Sequence, residues 1–369
     1  MGDNKLTLSV VTASVGGFVG HVSNHPEVLD TAKERLDNAR GKGVITDFHV
    51  LRCGDDIGLV ITHGSGCASP SVHGLVWNIL NACDETAAHL KLHGAGRGLL
   101  KEGFKGNLAG TGPGVAEMEF EERKSEPIVV LMANQVSTGT WNLPLFKIFA
   151  DPFNTPDLVL DPSMIEGFSF SVLDTKEGTV ITLSAPRDAY YLLALISATD
   201  RYVVTGVYRN SDSRIAAAVS SWKRIVSGTD KAGRGEPAVV IRCQEGLPGV
   251  GDAMEPFAFP HLVCGRTGRS HCAPLMPVPF YEANPSRSAG PPRAIAAGFQ
   301  VSDGRLIGPH DMFDDPGFDE ARRTAGKVTD YMRRHGPFKP LRSGLSETEW
   351  AGAAQPVIDM IKERFKRIG

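Results

Sequence analysis

The stretch Leu51-Arg52-Cys53-Gly54-Asp55-Asp56-Ile57-Gly58 constrains this chain more than any other. It lies between two strand-like apolar runs, Val44 to Val50 and Ile57 to Thr62, so the chain must turn within it. Two adjacent carboxylates stand behind a glycine at that turn. Such a pair on a tight loop suits a hard cation or proton transfer. It equally suits an ordinary polar turn, because Gly and Asp are turn formers.

The flanking segments predict the frame. Leu6, Leu8 and Val10 alternate with Thr7 and Ser9, an opening strand that runs into a glycine-rich loop from Ser14 to His21. Pro26 starts a helix with Val28, Leu29, Ala32 and Leu36 as its apolar stripe, and Gly41 and Gly43 stop it. A long helix is expected from about Ser71 to Leu92, then a second glycine-rich loop, His93-Gly94-Ala95-Gly96-Arg97-Gly98. That loop has Leu99 where the third glycine of the fingerprint would fall and no strand before it, so it is not a dinucleotide fingerprint. Ile128 to Met132 is a continuous apolar strand of the kind buried on both faces, and it delivers Asn134 and Gln135 to a loop. Phe168–Leu173 and Val180–Leu183 form a hairpin and Arg187–Thr199 a helix. Tyr202–Tyr208, Ala216–Trp222 and Ala238–Cys243 are strands. Helices Phe318–His335 and Glu347–Lys366 close the chain. The economical expectation is one α/β domain over residues 1–369, with layered sheets and C-terminal helices at about 318–367.

Bulk properties remove some partners. A net charge of −3 provides no basic field, so nucleic acid is not an expected partner. No apolar run approaches the roughly 20 residues that a membrane span needs. The six cysteines, at 53, 67, 83, 243, 264 and 272, include no CxxC pair, which fits a reducing cytoplasm better than a disulfide framework or zinc site.

Several longer motifs point to a family. They are Gly112-Pro113-Gly114-Val115-Ala116-Glu117-Met118-Glu119, Asn142-Leu143-Pro144-Leu145, Ala150-Asp151-Pro152-Phe153-Asn154-Thr155-Pro156 and Phe257-Ala258-Phe259-Pro260-His261-Leu262. Pro274-Leu275-Met276-Pro277, Phe313-Asp314-Asp315-Pro316 and Tyr331-Met332-Arg333-Arg334-His335-Gly336-Pro337-Phe338 complete the set. Together they resemble the fructose-1,6-bisphosphate aldolase/phosphatase family, the bifunctional type V fructose bisphosphatases, in order from about Leu6 to Phe365. The resemblance implies a four-layer α-β-β-α sandwich, an octamer, magnesium ions on an aspartate cluster and a Schiff-base lysine.

Residue by residue, the carry-over is partial. His21, Asp55, Asp56 and the substrate-contacting Gln244 match the family pattern. Ser14 stands where a first-loop aspartate is expected, and His93 where a tyrosine is expected. Gly96-Arg97-Gly98 replaces Gly-Gln-Asp, and Asn134-Gln135 replaces Asp-Lys. In the Schiff-base loop the lysine position reads Arg234, the two aspartates read Gly235 and Glu236, and the tyrosine reads Lys231. A substrate arginine falls at Gly268, with Arg269 beside it.

Magnesium needs several oxygen ligands, and Asp55, Asp56, His21 and Glu236 would hold one ion at most. A guanidinium stays protonated and forms no imine, so only Lys231 could take that part. Arg97 and Arg234, with Asn134, Gln135, Gln244 and Arg269, are the expected contacts to an anionic substrate. Asp55, Asp56, His21 and His93 are left to move protons. The leading expectation is therefore a repurposed enzyme that acts on a different phosphorylated or carboxylated molecule by acid/base or lyase chemistry. The alternatives are a residual fructose-1,6-bisphosphatase or aldolase with a rearranged site, and a non-catalytic binding or assembly protein.

Overall fold

The computed structural model describes residues 5–96, 108, 113–134, 136–199, 201–220, 238–263, 273–287, 290–334 and 356–367. The opening alternation becomes strand β1, Lys5–Ser14, buried along both faces. It lies inside a four-stranded antiparallel sheet, in the order β2 (Asp47–Cys53), β3 (Asp56–His63), β1, β4 (Gly114–Glu121). Helices α1, Pro26–Gly41, and α2, Pro70–His89, cover one face, where Val28, Leu36, Val76 and Leu80 meet Val11, Ile57, Leu59 and Ile61.

The other face carries Leu8, Val10, Val60 and Met118 onto Val130, Met132, Val240 and Ile295 of a second sheet. Two apolar sheet faces thus bury each other, at about 1.5–3 kcal/mol per fully buried large side chain. Among the described residues the second sheet has ten strands. The buried run becomes β5, Glu126–Ala133, between β14 (Arg293–Ser302) and β10 (Ala238–Arg242). Beyond β10 come β9 (Ile215–Val219), β8 (Tyr202–Arg209), β6 (Phe168–Asp174) and β7 (Thr179–Ala185). Its far face packs on helices α3, Asn142–Ala150, and α5, Ala189–Ile196, through Trp141, Leu145, Phe149, Leu192 and Leu195.

Local chemistry explains where elements end. Pro26 opens α1 with Glu27 in its first turn and Arg40 in its last, on the correct ends of the helix dipole. Gly43 N–H and Val44 N–H then close the helix onto Arg40 O and Ala39 O, at 2.9 and 3.0 Å. Val44 is used there, so β2 starts at Asp47 instead. Similarly, Leu92 N–H folds back on Ala87 O at 2.9 Å, which ends α2 at His89. The Arg187–Thr199 helix shrinks to α5 because Asp188 spends its carboxylate on Ser184 N–H at 3.0 Å and on Arg364. Strand β14 has no counterpart among the sequence expectations.

At the C-terminus, helix α7, Asp319–Arg333, falls where expected. The Glu347–Lys366 expectation is corrected for its described part. Residues 356–361 are helical, Lys362–Arg364 is a single tight turn, and Lys366–Arg367 pairs with β7 as an edge strand. Arg364 forks onto Asp188 at 3.1 and 2.9 Å, drawing the chain off the helical path. Among the described residues no helix is long and apolar enough to cross a membrane.

Candidate active site

The site begins with a two-residue hairpin. Cys53 pairs with Asp56 across β2 and β3, leaving Gly54 and Asp55 as the loop. Gly54 takes φ 62°, the left-handed conformation that such hairpins require. A side chain there would also strike Asn134, whose Nδ2 would lie 2.3 Å from an added Cβ. Glycine therefore does two things: it closes the turn, and it lets a residue from the other sheet lie across it.

Asn134 is that residue. It follows β5, is 1% exposed, and its main-chain N–H is fixed to Arg293 O at 3.0 Å. Its amide nitrogen reaches Asp55 Oδ1 at 3.3 Å, Asp56 Oδ2 at 3.1 Å and Cys53 O at 3.4 Å. All three partners accept hydrogen bonds, which sets the orientation of the amide. The N–H groups offset part of the repulsion between two neighbouring carboxylates that are 5% and 1% exposed. Asn134, expected to touch substrate, is thus placed as the brace of the carboxylate pair.

The third wall is the loop after β1. Ser14 Oγ donates to Asp55 Oδ2 at 3.3 Å, and His21 Nδ1 lies 2.6 Å from the same oxygen. A carboxylate oxygen only accepts, so Nδ1 carries the hydrogen, and Nε2 has no hydrogen-bond partner among the described residues on a side chain that is 57% exposed. The loop is held by Gly17, which exchanges main-chain bonds with His93 at 2.8 and 3.1 Å. An added Cβ at Gly17 would meet Gly20 O at 2.0 Å. His93 sets its ring edge-on to His21, with centroids 4.5 Å apart at 86°. His21, His93, Asp55, Asp56 and Asn134 therefore converge.

Gln244 does not join them within this chain. It follows β10 at the end where Arg242 pairs with Ile128, about 20 Å along the sheet from Asn134 at roughly 3.4 Å per residue. Arg97, Gln135, Lys231, Arg234, Glu236 and Arg269 lie outside the described residues. Asn24, buried beneath Asp55, was not singled out by the sequence. No local pattern marks it, because its partner is 31 residues away.

The donors that are described do not fit magnesium as arranged. Among the described residues no group of three His, Cys, Asp or Glu side chains forms a metal cage. Three carboxylate oxygens are already turned to N–H groups of Asn134 and His21, whereas magnesium asks for oxygen ligands in a near-octahedral set.

Comparison with known proteins gives the family. A family model described as fructose-1,6-bisphosphatase matches residues 5–366. A fructose-1,6-bisphosphate aldolase/phosphatase of Ignicoccus hospitalis is 49% identical, over 99% of this chain and 94% of the relative. Enzymes of the same name from Moorella thermoacetica and Sulfurisphaera tokodaii are 47% and 48% identical, each over at least 94% of their own length. The chain belongs to the fructose-1,6-bisphosphatase family. This corrects the expectation of a repurposed enzyme with a different substrate. Identity near one residue in two, spread from end to end, weighs more than replacements at a few reacting positions.

Proposed function

We propose that this chain is an enzyme acting on fructose 1,6-bisphosphate, as an aldolase/phosphatase with a rearranged site centred on Asp55 and His21. The observation that carries the reading is the 2.6 Å contact between His21 Nδ1 and Asp55 Oδ2, on a side chain that is 57% exposed. Asp55 holds the imidazole in one tautomer and stabilises the imidazolium that forms when Nε2 takes a proton. In phosphate release that proton comes from the attacking water. In carbon–carbon cleavage it comes from the hydroxyl that becomes the aldehyde, and the electron pair of the broken bond passes to the substrate's ketone carbonyl as an enolate. Asn134 keeps Asp56 from pushing Asp55 out of line, and His93 limits the swing of the His21 ring.

The same reading includes cationic contacts to the phosphates from Arg97, Arg234 and Arg269, with Lys231 as the candidate Schiff-base lysine. It also includes one domain in four α-β-β-α layers, an octameric assembly and a cytoplasmic setting. A single magnesium ion on the Asp55–Asp56 pair would require Asn134 to turn its amide away. Incubation with fructose 1,6-bisphosphate, with and without added magnesium, tests the proposal by release of inorganic phosphate and of triose phosphates. Appearance of neither product under either condition rejects it.

A further inference from the structure

Three residues beyond His21, Asn24 is 2% exposed, and its Nδ2 donates to the main-chain carbonyl of Asp55 at 2.8 Å. The carbonyl only accepts, so the amide nitrogen must face it. The opposite end, Oδ1, is buried and meets no donor among the described residues. A buried amide oxygen without a donor is costly, and an apolar side chain of similar size would fill the same space without that cost. Packing therefore does not account for asparagine here, whereas its grip on Asp55 does.

His21 and Asn24 lie on one loop and hold one residue, the first by its carboxylate at 2.6 Å and the second by its main chain at 2.8 Å. Ser14 and Asn134 also reach the Asp55 carboxylate, at 3.3 Å each, whereas Asn24 holds its main-chain carbonyl. Two contacts from the same loop fix both its distance and its orientation. Elsewhere the loop is pinned by Phe18 N–H on Ser23 O at 2.7 Å and by Arg52 Nη1 on Ser23 Oγ at 2.6 Å. The hairpin is pinned in turn by Gly54 N–H on Ala283 O at 2.7 Å. Asn24 joins these two braced pieces through the main chain, beside the His21 contact to the carboxylate.

We propose that Asn24 is a positioning residue for the Asp55–His21 pair, acting through the Asp55 main chain without touching substrate. This rests on the reading of that pair as the proton-transfer unit. Asn24→Leu keeps the volume and removes the donor, and Asn24→Ala serves as a second variant should leucine disturb folding, with melting temperature as the check on both. The first readout needs no substrate: exchange of the His21 ring C2–H with deuterium, followed by mass spectrometry. Its rate is expected to change at least about twofold, because the ring no longer faces a fixed carboxylate. The second is turnover of fructose 1,6-bisphosphate, where kcat falls about ten- to a hundredfold and KM changes far less. A folded variant with wild-type exchange at His21 and wild-type kcat overturns the proposal. If the wild-type protein itself does not turn over this substrate, the functional reading fails, and His21 exchange alone decides the role of Asn24.

Discussion

At one end of β1, Ser14 faces Asp55 and His21. Toward the other end, Ser9 lies between His63 and Glu117, with His73 beyond. Both assemblies combine serine, carboxylate and imidazole on the same sheet, yet they spend their nitrogens differently. His63 Nε2 meets Ser9 Oγ at 2.9 Å, and His73 Nε2 meets Glu117 Oε1 at 3.1 Å. Each ring also accepts a main-chain N–H at Nδ1, from Ser65 at 3.2 Å and Leu108 at 3.0 Å. Both imidazoles therefore carry hydrogen on Nε2 and have no nitrogen left to use. Among the described residues His21 spends only Nδ1, and its side chain is 57% exposed against 1% for His73. The difference shows that a carboxylate–histidine pair becomes a candidate for proton transfer only where one nitrogen still reaches solvent. Sealed on both sides, the same chemistry is a brace.

The sharpest way to break this comparison is Asp55→Asn. It removes the acceptor that sets the His21 tautomer, and kcat on fructose 1,6-bisphosphate should fall about 10³–10⁴-fold, measured by phosphate release. Near-wild-type turnover would erase the distinction between the two ends. Glu117→Ala should do the reverse. It leaves His73, Ser9 and the Ala68 N–H without an acceptor. Denaturant titration should show a loss of about 3–5 kcal/mol, with activity per folded molecule retained.

Acid should act on the sealed end next. Burial lowers the His63 pKa from its ordinary 6.5, so the unfolded chain takes up protons there before the folded one does. That contribution is present above about 6.5 and is lost as pH falls from there towards the folded value. Burial alone would raise Glu117, but hydrogen bonds from His73 and Ser9 hold it below its ordinary 4.5, and its contribution fades at still lower pH. Thermal melts across this range should show His63→Asn with a flatter decline below about pH 6.5 than the wild-type protein. An identical decline would remove His63 from the account. The smallest effect belongs to Lys5, whose 3.4 Å contact with Glu119 lies at the exposed rim of the same cluster. Lys5→Ala should change stability by less than about 0.5 kcal/mol in the same titration. A larger change would mean that charge, rather than burial, organises this end.

Much of the frame was legible because its signals are local. The Gly54-Asp55 reversal, the Pro26 start and Gly43 stop of α1, and the apolar run of β5 each follow from a few neighbouring residues. Other features were not legible in that way. Strand β14 is rich in small residues and lacks a clear alternation, and it is fixed by pairing along the whole of β5. The terminal strand exists because Arg364 finds Asp188, 176 residues away. Gln244 matches a family position, yet only the register of β10 against β5 shows which end of the sheet it occupies.

By itself, the sequence determined the hairpin, its two carboxylates and the family frame around them, since turn chemistry and hydrophobic period act over a few residues. Only tertiary structure decided that Asn134 bridges those carboxylates from another sheet, that Asn24 holds the Asp55 main chain, and that His21 sets Nδ1 on the Asp55 carboxylate. These contacts join residues 31 to 79 positions apart. Their geometry follows from how two sheets and a loop pack together, and no pattern along the chain encodes it.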